Sequence, residues 1–312
     1  MANGAKKVAV IGAGNVGATC AFVLAERKVG DVVLLDIYEG FAKGKALDMS
    51  QGGQVLNYDG RVTGTKDYAD IADSDVVVVT SGFPRQPGMT REDLIGKNAD
   101  IVSQVGEGIR QHAPNSIVVM VTNPLDLMTY HMQKVTGFEH SRVVGQAGIL
   151  DSARMTHFIA QAVGCSNEDV QAMVLGGHGD TMVPLPRYTT VNGIPVNQLL
   201  SDEEVEAICI RTASGGGEIV KLLEKGSAFY APGSAAAIMA EAILEDRKRV
   251  LPCSTYLSGE YGMDDIYIGV PVVLGRNGVE RIIELELAEK ELDSLQSSGS
   301  FYKEQLSEIL GY

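Results

Sequence analysis

A chain of 312 residues with 45% hydrophobic and 21% charged residues has ordinary soluble globular composition, with length enough for two domains and a large core. Its formal net charge of -14 repels nucleic acid and anionic membranes, so neither is expected as a partner, and a small anion needs a locally positive site to bind. Cys20, Cys165, Cys209 and Cys253 show no C-x-x-C spacing and no grouping with histidine, which predicts reduced thiols in a cytoplasmic protein and no metal site.

Lys6-Lys7 before the uncharged run Val8–Ala25 superficially resembles a targeting segment. That run opens with a strand-like Val-Ala-Val-Ile and contains Gly12, Gly14, Asn15 and Gly17, a pattern that a signal segment has no need of. In chain order, strands are predicted at Val8–Ile11, Val32–Leu35, Arg61–Thr65, Val76–Val79, Ile117–Val121 and Val143–Val144. Helices are predicted between them at Val16–Arg27, Gly40–Gln51, Glu92–His112 and Leu125–Val135. Near-continuous apolar strands alternating with helices predict a Rossmann-type doubly wound parallel sheet. The character changes near Gln146, giving a predicted division into a dinucleotide-binding domain at 1–146 and an α+β substrate domain at 147–312. There the chain reads as a helix at Leu150–Val163, a run Val170–Leu175 and helices near 202–224 and 233–248. Strands at Arg249–Tyr256, Ile266–Leu274 and Val279–Leu287 and a terminal helix near Glu289–Leu310 follow.

Gly12-Ala13-Gly14-Asn15-Val16-Gly17 is a G-x-G-x-x-G turn leaving the first strand and opening a helix, the arrangement that lets a pyrophosphate approach helix N–H groups. Asp36 ends the next strand, where a carboxylate accepts adenosine ribose hydroxyls and repels the extra phosphate of NADP. Gly82-Phe83-Pro84-Arg85-Gln86-Pro87-Gly88-Met89-Thr90-Arg91 follows the strand Val76–Val79, and its prolines and glycines keep it out of regular structure. Two arginines on such a loop suggest capture of an anion, most aptly a carboxylate. Thr122-Asn123-Pro124 ends another strand, and Asn123 reads either as a ligand-binding amide or as a turn residue. Asp151 and Arg154 share one helix face as a functional pair or a surface ion pair. His178, in Gly176-Gly177-His178-Gly179-Asp180, reads as a proton carrier with little steric cover or as a turn histidine bonded to Asp180. His112, His131, His140 and His157 lack such a setting and read as structural.

Together, in this order and spacing, these motifs resemble the lactate/malate dehydrogenase superfamily over about residues 7–287. Ser227–Pro232 and Gly269–Pro271 look like its bacterial malate dehydrogenases that lie closer to lactate dehydrogenase. The resemblance implies NAD as cofactor, contacted by Gly12, Ala13, Gly14, Asn15, Val16, Gly17, Asp36, Asn98, Val121 and Asn123. It implies His178 as acid/base and Asp151 as the carboxylate orienting its ring. Arg154 would clamp the substrate's C1 carboxylate, Arg91 would polarise the C2 carbonyl and Asn123 would support that oxygen or the cofactor ribose. The position of Arg85 is Gln in typical lactate dehydrogenases and Arg in malate dehydrogenases. Arg85 would therefore bind the distal carboxylate of malate or oxaloacetate, on a loop expected to open and close. A homo-oligomer is also implied, a tetramer favoured over a dimer. A lactate or broader 2-hydroxy-acid dehydrogenase and a non-catalytic dinucleotide-binding protein are the competing readings. The metal-dependent NAD glycosidases need Cys and His ligands that this chain does not offer.

Overall fold

A computed structural model describes residues 6–83 and 90–312, apart from the side chain of Arg91. Pro84–Met89, Arg85 among them, lie outside the described residues. Six short strands rich in β-branched residues form the first half of the sheet: β1 (Lys7–Ile11), β2 (Asp31–Leu35), β3 (Val62–Thr65), β4 (Val76–Val79), β5 (Ile117–Met120) and β6 (Val143–Gly145). They are parallel in the order β3-β2-β1-β4-β5-β6. The four valines of β4 are fully buried, as a strand covered on both faces requires. The helices that follow these strands are α1 (Asn15–Glu26), α2 (Glu39–Leu56), α3 (Arg91–His112) and α4 (Leu125–Thr136). The strand order reverses between β1 and β4, and a doubly wound sheet opens its ligand crevice at the C-terminal ends of strands at such a point.

The second half contributes α5 (Gly148–Val163), β7 (Val170–Gln171), β8 (Val174–Gly176), β9 (Met182–Pro184), β10 (Thr190–Val191), β11 (Ile194–Pro195), α6 (Asp202–Leu223) and α7 (Tyr230–Leu244). Then come β12 (Arg249–Ser258), β13 (Asp264–Gly275), β14 (Gly278–Ile282) and α8 (Glu289–Gln305). The sheet does not stop at residue 146. Ser254 of β12 pairs opposite Gly145 of β6, and the order continues β12-β13-β8-β9 with β14 on the far part of β13, making eleven strands among the described residues. β7, β10 and β11 form a separate antiparallel sheet of three strands.

Some boundaries differ from the sequence pattern for local reasons. The run Val170–Leu175 divides into β7 and β8, which belong to different sheets. Helix α2 passes Gln51 and Gly52-Gly53 to Leu56. Gly53 is used for close packing, since a Cβ there would lie 2.6 Å from the Tyr58 carbonyl oxygen. The last strand ends at Ile282 rather than Leu287, and the terminal helix closes in a π-helical turn at Leu306–Leu310. Helix α7 lies hard against α1: a Cβ on Gly233 would sit 2.7 Å from Thr19 Cβ and 2.8 Å from the Val16 carbonyl oxygen.

Candidate active site

The glycine-rich turn delivers the start of α1 to the crevice. Gly12 adopts φ +105, and a Cβ on Gly17 would lie 1.8 Å from the Gly12 carbonyl oxygen, so neither position admits a side chain. Gly14 caps α1 without a side-chain bond, and no acidic residue occupies the first turn. Gly14 and Asn15 are exposed, and space above Gly14 is open to 4 Å. Val16 is half-buried. The first N–H groups of α1 are thus left facing an open cradle that suits a pyrophosphate. Asp36 Oδ2 accepts from Ala13 N at 2.7 Å and Oδ1 from Tyr38 N at 3.0 Å. Each oxygen keeps a second lone pair for a ribose hydroxyl. Lys45 Nζ donates to the Ala13 carbonyl at 2.9 Å, fixing the turn from the other side.

Across the crevice, Asn98 is 1% exposed and its carboxamide is committed to main chain. Its Oδ1 accepts from Phe83 N at 2.6 Å, and its Nδ2 donates to the Asn123 carbonyl at 2.6 Å and the Phe83 carbonyl at 3.3 Å. Asn98 therefore ties the entry of the Pro84–Met89 segment to the end of β5. The Asn123–Pro124 peptide is cis and the Asn123 side chain is exposed at that strand end. Val121 N donates to the Val79 carbonyl at 2.9 Å. Arg91 is the first residue of α3, whose Thr90 and Asp93 close a reciprocal cap.

Asp151 and Arg154 project from α5 towards the turn after β8 that carries His178. Asp151 is 1% exposed; its Oδ2 lies 2.9 Å from His178 Nδ1 and its Oδ1 accepts from Arg154 Nη1 at 3.2 Å. An ionised carboxylate only accepts, so Nδ1 carries hydrogen in this contact and Nε2 is the ring nitrogen left for proton exchange. Burial works against the imidazolium, but the charge and hydrogen bond of Asp151 outweigh it, and the His178 pKa is raised above its ordinary value. Arg154 Nε is buried and has no hydrogen-bond partner among the described residues. Such an orphan donor beside a histidine–carboxylate pair is a ready partner for an incoming carboxylate.

Several residues without a sequence signal complete this site. Asp126, in the first turn of α4, is 1% exposed; it accepts from His178 N at 2.9 Å and from Ser254 Oγ at 2.7 Å. From α8, Ser298 Oγ accepts from Gly177 N at 3.0 Å, and Tyr302 OH donates to the His178 carbonyl at 3.4 Å. Gly177 is packed rather than open, since a Cβ there would lie 1.9 Å from Tyr302 Cε2. Only Gly179, with φ +138 and nothing within 4 Å, matches the expectation of an uncovered turn. His178 turns to Asp151 rather than to the exposed Asp180. On α6, a Cβ on Gly215 would come within 3.2 Å of Arg154 Cδ, so that glycine admits the guanidinium stem. His131 bonds Ser103 and Tyr312, and His140 stacks on Tyr256, all away from this centre.

A profile of the lactate/malate dehydrogenase NAD binding domain matches residues 6–145, and one of the lactate/malate dehydrogenase alpha/beta C-terminal domain matches residues 149–311. The chain belongs to the lactate/malate dehydrogenase family. A malate dehydrogenase of Methanosarcina acetivorans is 53% identical over 303 residues, covering 97% of this chain and 99% of that protein. The solved malate dehydrogenase of Salinibacter ruber is 50% identical with a TM-score of 0.94, covering 97% of each chain. A Cryptosporidium parvum lactate dehydrogenase, solved with lactic acid and nicotinamide adenine dinucleotide, is 42% identical with a TM-score of 0.94, covering 99% of this chain and 98% of that one. Within this lactate/malate dehydrogenase family the first half of the chain is the NAD-binding domain.

Proposed function

We propose that the chain catalyses the reversible, NAD-dependent interconversion of (S)-malate and oxaloacetate. The observation that carries the chemistry is the buried Asp151 joined at once to His178 and Arg154. Gly12, Ala13, Gly14, Asn15, Val16, Gly17 and Asp36 would hold the adenosine and pyrophosphate side of the cofactor, with Val121 and Asn123 lining its far side and Asn98 acting on that side through its bonds to Phe83 and Asn123. When bound, the nicotinamide would supply or take up the hydride exchanged with C2 of the substrate.

Arg154 binds the C1 carboxylate and fixes the substrate's orientation over His178. Protonated His178 donates from Nε2 to the carbonyl oxygen during reduction, and neutral His178 takes the hydroxyl proton during oxidation. Asp151 keeps the ring in one tautomer and stabilises the imidazolium. Arg91, on the first turn of α3, stabilises charge developing on the C2 oxygen. The fold is shared by malate and lactate dehydrogenases, so the acid is chosen by side chains. Arg85 supports the dicarboxylate reading, because pyruvate would leave its charge desolvated and unpaired.

Loss of NADH absorbance tests the reading with oxaloacetate, with pyruvate, and with NADPH in place of NADH. Rapid turnover of oxaloacetate with NADH is expected; preference for pyruvate or NADPH would refute the assignment, and turnover of no pair would favour a binding protein. We also propose a cytoplasmic homo-oligomer, a tetramer in preference to a dimer. Exposed Leu47, Val55 and Leu56 on α2, with Leu222 and Leu223 on α6, support burial against a second copy. A single-chain mass by light scattering would exclude it.

A further inference from the structure

The turn bearing His178 is held by more than Asp151. Asp126 reaches it from α4, the helix that starts directly after Asn123 and Pro124. One carboxylate oxygen accepts the His178 main-chain N–H and the other accepts the Ser254 hydroxyl from β12, with the carboxylate 1% exposed. Asp126 thereby joins three elements: α4, the β8–β9 turn and β12. The charged groups facing His178 are Asp151 and Arg154 from α5 and Asp126 from α4; the neutral Tyr302 meets its carbonyl from α8.

A carboxylate is an expensive way to make these two hydrogen bonds. An asparagine would accept from the same N–H and donate to Ser254 with the hydroxyl turned round, without burying a charge. We propose that Asp126 is a positioning residue for the dehydrogenase reaction, fixing the main chain of His178 and setting a second negative charge behind the imidazolium. This rests on the reading of His178 as the acid/base. The first turn of α4 favours an anion at Asp126. Burial pushes its carboxyl up to about 6, so the charge is held at a cost and is largely present at neutral pH.

Asp126→Asn preserves both hydrogen bonds and removes the charge. The readouts are the pH dependence of kcat/KM for oxaloacetate reduction and an NMR titration of the His178 imidazole, assigned with His178→Gln. Expected for the asparagine variant are a melting temperature no lower than that of the wild type at pH 7, kcat at low pH within a few-fold of wild type, and both midpoints displaced to lower pH. Asp126→Ala, which strands the His178 N–H, is expected to lose about 10–100-fold in kcat with KM for NADH little changed, the usual effect of displacing a reacting group by a fraction of an ångström to one ångström. A titration midpoint unmoved in Asp126→Asn would overturn the proposal, whether or not Asp126→Ala folds. So would wild-type kcat in Asp126→Ala. The NMR titration needs no turnover: a chain inactive towards oxaloacetate whose His178 midpoint still moves would sink the functional reading and leave the electrostatic link standing.

Discussion

Replacing Gly177 by alanine puts one methyl group into the support beneath His178. The added Cβ would lie 1.9 Å from Tyr302 Cε2, 2.7 Å from Tyr302 Cζ and 2.9 Å from Thr181 Oγ1. Ordinary contact begins near 3.4 Å, so the ring or the turn must move by about 1.5 Å. Tyr302 is 3% exposed and its ring meets Phe301 edge-on at 5.3 Å, so it has no solvent to swing into. Overpacking of this kind costs about 1–3 kcal/mol. For 312 residues that corresponds to a fall in Tm of roughly 2–5 °C. The activity suffers more, because misplacing a catalytic group by about 1 Å costs on the order of 100-fold in kcat. Steady-state reduction of oxaloacetate and a calorimetric melt on the same preparation separate the two effects. Adding Tyr302→Leu to Gly177→Ala should recover part of both losses by opening the space. A single variant with wild-type kcat and Tm, or a double variant worse than the sum of its parts, would refute the steric account.

Arg85→Gln should lower kcat/KM for oxaloacetate by about 150–5000-fold, matching the roughly 3–5 kcal/mol cost of an unpaired desolvated ion, with far less loss on pyruvate; equal loss on both substrates would refute this role. Because the His178 pKa is raised, the imidazolium needed for reduction persists above the ordinary histidine range, and the neutral ring needed for oxidation appears only at higher pH. Oxaloacetate reduction should therefore decline, and malate oxidation rise, through a midpoint above 6.5, and Asp151→Asn should move that midpoint down. Gly233→Ala should wedge α7 from α1 at Thr19 and Val16, costing about 1–3 kcal/mol of stability and so lowering Tm by roughly 2–5 °C, while a substitution in the open at Gly217 should not.

Local pattern carried the first half of the molecule. Short β-branched runs alternate with helices there, and each strand is buried on both faces, so composition and position agree. The turn Gly12–Gly17 and Asp36 are legible because their spacing is fixed by one strand–helix–strand unit. Asp151 and Arg154 are a helical turn apart, which shows that they can meet but not what else they meet. Asp126 carried no such signal, since an acid in the first turn of a helix is what any helix start favours. Ser298 and Tyr302 lie more than 115 residues beyond His178, and nothing in their neighbourhood announces a partner so far away. The run Val170–Leu175 gave no sign of its division, since Gln171 is its single polar residue while its two ends pair in different sheets.

The single pairing of Ser254 with Gly145 bears on how the chain is made. While the first 145 residues emerge from the ribosome, β6 waits with an unsatisfied edge, and its neighbour in the finished sheet is about 110 residues downstream. At roughly 5–20 residues per second, that edge stays open for about 5–20 s. Such an edge is a template for another chain. β6 is only three residues long, Val143–Gly145, and stays too short to recruit one. The brevity of the central seam strand thus protects the nascent chain until its own C-terminal half arrives to close it.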